Sequence, residues 1–145
     1  MANRNTSHLA GEFLVAGELS RRGYPVSITF GNAKSVDIYA DAYSTTIRVD
    51  AKAGRSKSNW PINENSVSPD TYYIFVYLQT QNMVEGNIAP EYFIVCGKEI
   101  ISKKLIKKWG TRQGIPYSTL NTDEYKERWN LLPKPPKEGL PTNKR

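Results

Sequence analysis

Two aspartates and one lysine, Asp37, Asp50 and Lys52, have the residue types and spacing with the clearest chemical use in this sequence. Asp50 and Lys52 lie near the end of a predicted apolar strand, 45–53, and residues two apart on a strand point to the same face. Burying two charges beside a hydrophobic core costs several kcal/mol unless they are paired or bind a metal. Stability rarely calls for this arrangement, whereas a metal-dependent phosphodiesterase requires it.

A hairpin between predicted strands 36–40 and 45–53 would bring the two aspartates together. Its midpoint sets Asp37 directly opposite Asp50, with Cβ atoms about 5 Å apart. Two carboxylates at that distance repel each other, and a divalent cation between them removes the penalty. Hard oxygen ligands suit Mg²⁺, or Mn²⁺ in its place, with waters left over for a substrate phosphate and a nucleophile. Lys52 could then hold the attacking water or stabilise developing charge.

The elements that must position these residues follow from periodicity and turn signals. Thr6-Ser7 is typical of an N-cap, and apolar residues at helical spacing predict a helix that ends at Gly23. Alternating or continuous apolar runs predict five strands, over residues 24–30, 36–40, 45–53, 72–78 and 91–96. Further helices are predicted over 99–109, with Ile101, Leu105 and Trp109 as the apolar stripe, and over 123–131.

We therefore expect an α/β fold in which a mixed central sheet of about five strands is flanked by helices. The polar segment 54–69 is predicted to be irregular, with Trp60 as its anchor in the core. The length of 145 residues fits one domain, which we place at residues 1–132. A Pro- and Lys-rich segment, 133–145, is predicted to be a flexible tail.

Composition excludes several classes of protein. One cysteine and one histidine leave almost nothing for a disulfide framework, a zinc site or a Ser-His-Asp triad. No segment approaches the roughly 20 apolar residues of a membrane span, and the polar start lacks a signal-peptide pattern. We therefore expect a cytoplasmic protein without a membrane partner. The formal net charge of +6 is concentrated in residues 98–112 and 133–145, which indicates a polyanion-facing patch or a solvated lysine surface.

Asp37 followed by Asp50-Ala51-Lys52 resembles the PD-(D/E)xK nuclease superfamily, which includes restriction-endonuclease-like and Holliday-junction-resolvase-like enzymes. The pattern Gly11-Glu12-x-x-Val15-x-x-x-Leu19-x-x-x-Gly23-Tyr24 is similar to the first helix of resolvase-like members, in which a glutamate joins the metal site. The resemblance spans about residues 7–97. The chain has Val36 where these enzymes often have proline, Asp50 where glutamate is commoner, and no clear helix after the Asp-x-Lys strand.

The resemblance implies a restriction-endonuclease-like domain with a Mg²⁺-dependent endonuclease activity on DNA phosphodiester bonds. Glu12, Asp37 and Asp50 would hold the metal, with the Ala51 carbonyl as an additional ligand. Lys52 would orient or activate the attacking water. Two other acids receive different expectations: Glu18 should pair with Arg21 or Arg22, and Asp41 should be a turn residue.

Basic side chains elsewhere could contact the DNA backbone or serve solubility alone. These candidates for nucleic-acid binding are Arg55, Lys57, Lys103, Lys104, Lys107 and Lys108. DNA is the expected partner, and a homodimer or a separate specificity protein stays open.

The alternative function is a catalytically inactive nuclease-fold module that binds nucleic acid or a protein partner. The three departures from the family pattern support this alternative. A weaker option is a protein–protein adaptor that does not bind DNA at all.

Overall fold

The computed structural model describes residues 4–30, 36–79 and 88–137. Three helices are present there: α1 (Arg4–Arg21), α2 (Gly97–Ser102) and α3 (Tyr117–Leu120). The strands are β1 (Val26–Phe30), β2 (Val36–Asp41), β3 (Thr46–Gly54), β4 (Asn59–Pro61), β5 (Thr71–Tyr77), β6 (Glu91–Cys96), β7 (Lys107–Trp109) and β8 (Arg112–Pro116). Short 3₁₀ helices span Glu64–Ser66 and Trp129–Leu131.

The five predicted strands form one mixed sheet in the order β1-β2-β3-β5-β6, which confirms the predicted α/β class and strand number. β3 and β5 are parallel, and the other neighbouring pairs are antiparallel. Both faces of β5 are buried, since Ile74 and Val76 belong to one core cluster and Tyr73 and Phe75 to the other. A continuous apolar run is what a strand covered on both faces requires.

Helix α1 covers one face of this sheet. Val15 and Leu19 are fully buried there against Ile38 and Val49. The helix begins at Arg4, so the predicted N-cap at Thr6-Ser7 is wrong. The Ser7 hydroxyl instead accepts a hydrogen bond of 2.9 Å from Arg55 Nε, in the segment after β3. Tertiary packing here overrides the local capping signal.

The small sheet β4-β8-β7 covers the opposite face of the large sheet. Trp60 on β4 is 3% exposed, its Nε1 donates to the Val76 carbonyl at 3.0 Å, and its ring lies 5.4 Å from that of Phe75. Trp60 is therefore the predicted core anchor. The expectation of an irregular segment at 54–69 is wrong for Asn59–Pro61, because these residues pair with β8.

The predicted helix over 99–109 is wrong beyond Ser102. The chain leaves α2 through Lys104, which has a φ of 52°, and then forms β7. β7 pairs with β8 across a two-residue turn that begins at Gly110, whose φ of 60° suits glycine. Of the predicted apolar stripe only Leu105 is buried, since Ile101 and Trp109 are 49% and 46% exposed.

The predicted helix over 123–131 is also wrong. This segment forms turns and ends in the 3₁₀ helix Trp129–Leu131. Its backbone hydrogen-bonds to β6, where Ile94 N donates to the Tyr125 carbonyl and Glu127 N donates to the Tyr92 carbonyl. The backbone groups at the outer edge of β6 are satisfied in this way, which a separate helix could not do.

The first residues of the predicted tail contact the domain. Tyr24 donates its hydroxyl to the Pro133 carbonyl, and Tyr43 N donates to the Lys134 carbonyl at 2.8 Å. Residues 138–145 lie outside the described part of the chain, so the division at 132 stays a prediction. In the described ranges, no helix combines the length and the apolar character needed to cross a membrane.

Candidate active-site cleft

The β2–β3 hairpin has the register that the sequence midpoint predicts. Ile38 pairs with Val49 and Tyr39 with Arg48, and the same register continued by one residue sets the backbone of Asp37 opposite Asp50. The side chain of Asp37 lies outside the described part of the structure. The predicted pair of facing carboxylates therefore stays a prediction, although the backbone geometry that it needs is present.

Asp50 and Lys52 lie on one face of β3, as predicted. Alternation along the strand places Val49 and Ala51 in the core beneath α1, which leaves Asp50 and Lys52 on the opposite face. Lys52 Nζ lies 3.6 Å from Asp50 Oδ1, and the two side chains are 28% and 30% exposed. The pair is thus partly shielded from water while Lys52 stays accessible to a ligand.

Glu12 lies on α1 and is almost completely buried, at 3% exposure. His8, one helical turn earlier, places Nε2 3.1 Å from Glu12 Oε2. Glu12 is a predicted residue of the site, whereas no role there was predicted for His8. The available signal was the spacing of four residues, which places two side chains on the same face of a helix.

Glu18, the rival acid on α1, behaves as predicted. It forms ion pairs with Arg21 and Arg22, away from β3. The hydrogen bond from Arg21, with a further contribution from Arg22, holds the pKa of Glu18 below its usual value against the opposing effect of burial. Asp41 is the last residue of β2 and not the turn residue that was predicted, and it accepts a hydrogen bond of 2.9 Å from Thr46 Oγ1 of β3.

Glycine at position 11 brings α1 close to β3. A Cβ atom at Gly11 would lie only 2.4 Å from Ala53 Cβ, so no larger residue fits without moving the helix. Glu12 follows immediately, on the helix that packs on the face of the sheet opposite Asp50 and Lys52.

A cavity of about 430 Å³ opens at the end of β3. It is lined by Ser7 and His8 of α1, by Lys52, Ala53 and Gly54 of β3, and by Trp60 and Pro61 of β4. Lys52 also lines a neighbouring depression of about 350 Å³ together with Thr111 and Gln113 of the β7–β8 hairpin. Lys52 therefore lies between the cavity and the depression, and we call the two together the cleft.

The described side chains include no group of three or more His, Cys, Asp or Glu residues placed to hold a metal ion. The predicted ligand set of Glu12, Asp37 and Asp50 consequently depends on the Asp37 carboxylate. Ala51 lies within the ladder between β3 and β5, opposite Ile74, and the role of its carbonyl stays a prediction.

The six basic residues predicted to contact nucleic acid have different partners in the structure. Arg55 donates to Ser7 at the rim of the cleft, and Lys57 Nζ lies 5.5 Å from the centre of the Tyr117 ring. Lys103 forms ion pairs with Glu99 and Glu124, and Lys108 with Glu64. Lys104 and Lys107 form no ion pair within the described ranges. The predicted lysine helix is therefore absent, because Lys103 and Lys104 lie in the turn after α2 and the other two lysines lie on β7.

Comparison of the chain with protein-family models, with curated proteins and with solved structures finds no match. The resemblance to PD-(D/E)xK nucleases accordingly rests on the motif residues and stays a prediction.

Proposed function

We propose that this protein is a metal-dependent nuclease that hydrolyses DNA phosphodiester bonds in the cleft. The observation that supports the proposal most directly is the β2–β3 register. It aligns the backbones of Asp37 and Asp50 and leaves Lys52, 3.6 Å from Asp50, at the mouth of the cleft. This strand arrangement suits the chemistry that the Asp-x₁₂-Asp-x-Lys pattern predicts.

The predicted ligands suit Mg²⁺ or Mn²⁺ in their chemical type. Mg²⁺ in proteins commonly uses one or two carboxylates together with waters and substrate phosphate oxygens. Asp37 and Asp50 would supply such a pair, with Glu12 and the Ala51 carbonyl as further ligands from the other side of β3. When bound, the ion would neutralise negative charge on the substrate phosphate.

Lys52 and His8 both line the cleft, and we assign each a role in the reaction. The Lys52 ammonium orients the attacking water and stabilises the negative charge that develops on the phosphate oxygens. His8 is a positioning residue, since its contact with Glu12 fixes the orientation of a carboxylate that has no freedom to leave the core. Hydrogen bonds from such supporting residues commonly tune metal ligands.

Cleavage assays on supercoiled and single-stranded circular DNA with Mg²⁺ and Mn²⁺ test this proposal. Lys52→Ala and Asp50→Asn should each lower the cleavage rate by about 100-fold or more, because each removes a group that acts on the reacting phosphate. Lys98→Ala is the matched control, since Lys98 is exposed and remote from the cleft. Far-UV circular dichroism and thermal melting check that all variants fold.

Undiminished cleavage by both cleft variants would overturn the proposal. So would a wild-type protein that binds DNA but cuts none with either ion.

A binding module without catalysis is the second candidate. The observation that favours it is a group of exposed cations, Lys107 and Arg112, beside the exposed Trp109. Binding alone would account for these residues. Affinity for DNA without metal-dependent cleavage distinguishes this candidate from the nuclease.

A further inference from the structure

The small sheet has one buried face and one open face. Its inner face carries Trp60 and Ile115, both in the core, and also Gln113 and Lys108. Strand alternation and the cross-strand pairs assign the other positions to what we call the outer face. These are Asn59, Pro61, Lys107, Trp109, Arg112, Gly114 and Pro116. All three strands lie within the described residues, and their outer positions include no acid.

Trp109 is the largest side chain of the outer face and is 46% exposed. No aromatic ring and no cation stacks on it within the described part of the chain. Tryptophan buries more apolar surface than almost any other residue when it is packed. A partly exposed tryptophan with an open ring face is therefore a site for a flat ligand.

Two cations flank this ring. Arg112 is the direct cross-strand partner of Trp109, and Lys107 precedes it by two residues on the same strand. Neither forms an ion pair or a side-chain hydrogen bond within the described ranges. Lys108 differs, because it points to the inner side and pairs with Glu64. The unpaired cations and the open ring are thus on the same face.

The outer face is built on a tight hairpin turn and a close contact between two strands. Gly110 begins a tight hairpin turn with a φ of 60°. A Cβ atom at Gly114 would lie 2.6 Å from Asn59 Oδ1 and 2.7 Å from the Trp60 carbonyl oxygen, so β4 and β8 approach closely and no larger residue fits at position 114 without a shift. A fixed platform loses little conformational entropy on binding.

We propose that the outer face binds a single-stranded segment of nucleic acid. An unpaired base stacks on Trp109, and the phosphates on either side contact Lys107 and Arg112. A base inside a duplex already has both faces covered by its neighbours, so a ring on a flat sheet reaches only an unstacked base. The outer face carries two cations and no acid, which suits a polyanion.

The position of the hairpin connects this surface to the cleft. Thr111 and Gln113, at the hairpin end and on its inner side, line the depression that Lys52 also lines. A strand held on the outer face can therefore pass around the hairpin end towards Lys52. This connection rests on the proposed nuclease function, whereas strand binding by the outer face does not.

Fluorescence anisotropy with the full chain tests the proposal. The probes are a labelled oligothymidylate of about 20 nucleotides, longer than most single-domain binding sites, and its duplex with oligoadenylate. EDTA is present, so that no cleavage occurs. We expect tighter binding of the single strand than of the duplex. Trp109→Ala should weaken single-strand binding by about 5- to 150-fold, the effect of losing one stacked base, and Trp109→Phe should restore most of it.

Salt titrations test the two cations. Lys107→Ala and Arg112→Ala should each lower the slope of log affinity against log salt concentration by about 0.7, the value for one phosphate contact on a single strand. Lys108→Ala is the matched control from the same strand and should leave the slope unchanged. Thermal melting verifies folding, which these exposed positions should not disturb.

Equal affinity of the wild type and Trp109→Ala for the single strand overturns the proposal. A preference for duplex that is insensitive to Trp109 does the same. Single-strand binding that needs Trp109, in a protein that cuts no DNA with Mg²⁺ or Mn²⁺, supports the outer face and refutes the nuclease.

Discussion

The cleft and the outer face use charge in opposite ways. In the cleft, two nitrogens have an acid nearby, since Lys52 Nζ lies 3.6 Å from Asp50 Oδ1 and His8 Nε2 lies 3.1 Å from Glu12 Oε2. On the outer face, Lys107 and Arg112 have the same sign and no acidic partner within the described ranges. The charged side chains of the cleft are also less exposed to solvent than Lys107 and Arg112.

This difference in charge suggests different roles, with catalysis in the cleft and attraction of nucleic acid at the outer face. The electrostatic potentials of opposite charges in a partly buried site cancel at long range. Such charges therefore affect mainly a group bound between them, as a reacting phosphate would be. Like charges on an open face add at a distance and attract a polyanion, in a manner that salt weakens. We therefore expect cleft substitutions to change rates and outer-face substitutions to change affinities.

The double variant Lys52→Ala/Arg112→Ala gives the largest expected effect. Its cleavage at saturating DNA should match that of Lys52→Ala, about 100-fold or more below wild type. Its single-strand affinity should match that of Arg112→Ala, because substitutions without shared partners act independently. Single-turnover cleavage and anisotropy measure the two quantities separately.

A cleavage rate for the double variant well below that of Lys52→Ala, at saturating DNA, would show that the outer face also contributes to chemistry. The separation of roles would then be wrong.

Glu12→Gln tests the cleft from the side of α1. Glutamine keeps the shape of the side chain and removes its charge, so we expect cleavage to fall about 10- to 100-fold, the range for weakened metal ligation. Single-strand affinity in EDTA should stay within about twofold of wild type, since no outer-face contact changes. Raising the Mg²⁺ concentration should recover part of the lost activity. A parallel loss of affinity in EDTA would contradict this division.

The β2–β3 hairpin could be predicted in detail because residues that are close in the sequence determine its strand pairing. A short connection and the alternation of Ile38, Ala40, Ile47 and Val49 into one core leave one register that buries all four. A shift of one residue would turn each of them to the other face. The positions of Asp50 and Lys52 follow from the same constraint.

The small sheet could not be predicted because its pairings are long-range. Trp60 pairs with Ile115, and strands of three to five residues are too short to show a period. The apparent helical stripe through Trp109 arose by chance, and only the pairing across Gly110 shows that this side chain is exposed. The outer face and the wall of the cleft at Trp60 were missed for this reason.

Gly11→Val tests how far the cleft depends on the close packing of α1 on β3. Added methyl groups would press on Ala53, and such overpacking costs about 1–3 kcal/mol of unfolding free energy. Displacement of α1 should disturb His8 and Glu12 and leave the outer face intact. Cleavage should therefore fall more than single-strand affinity when both are measured below the melting temperature.

Gly17→Ala is the matched control, because no atom lies within 4 Å of a Cβ at Gly17. Alanine in the middle of α1 should raise the unfolding free energy by about 0.5–1 kcal/mol. Urea denaturation measures both variants. Equal stabilities of Gly11→Val and wild type would show that α1 does not depend on this close contact.

Lys103 belongs to neither region and gives the smallest expected effect. Its ammonium is held by Glu99 and Glu124, so Lys103→Ala should change single-strand affinity by less than about twofold. The hydrogen bond from Lys103, with a second from Tyr125 Oη, keeps the pKa of Glu99 below its usual value despite burial. A pKa that is lower in the folded than in the unfolded state stabilises the fold above the unfolded pKa of about 4.5.

That contribution to stability is lost as the pH falls through the folded pKa of Glu99. Lys103→Ala should therefore be less stable than wild type near neutral pH, and the difference should shrink as the solution is acidified. Thermal melting across this pH range measures it, with Lys107→Ala as the control that loses affinity without a pH-dependent loss of stability. If Lys103→Ala weakened single-strand binding as much as Lys107→Ala, paired and unpaired cations would contribute alike, and the outer face would have no special role.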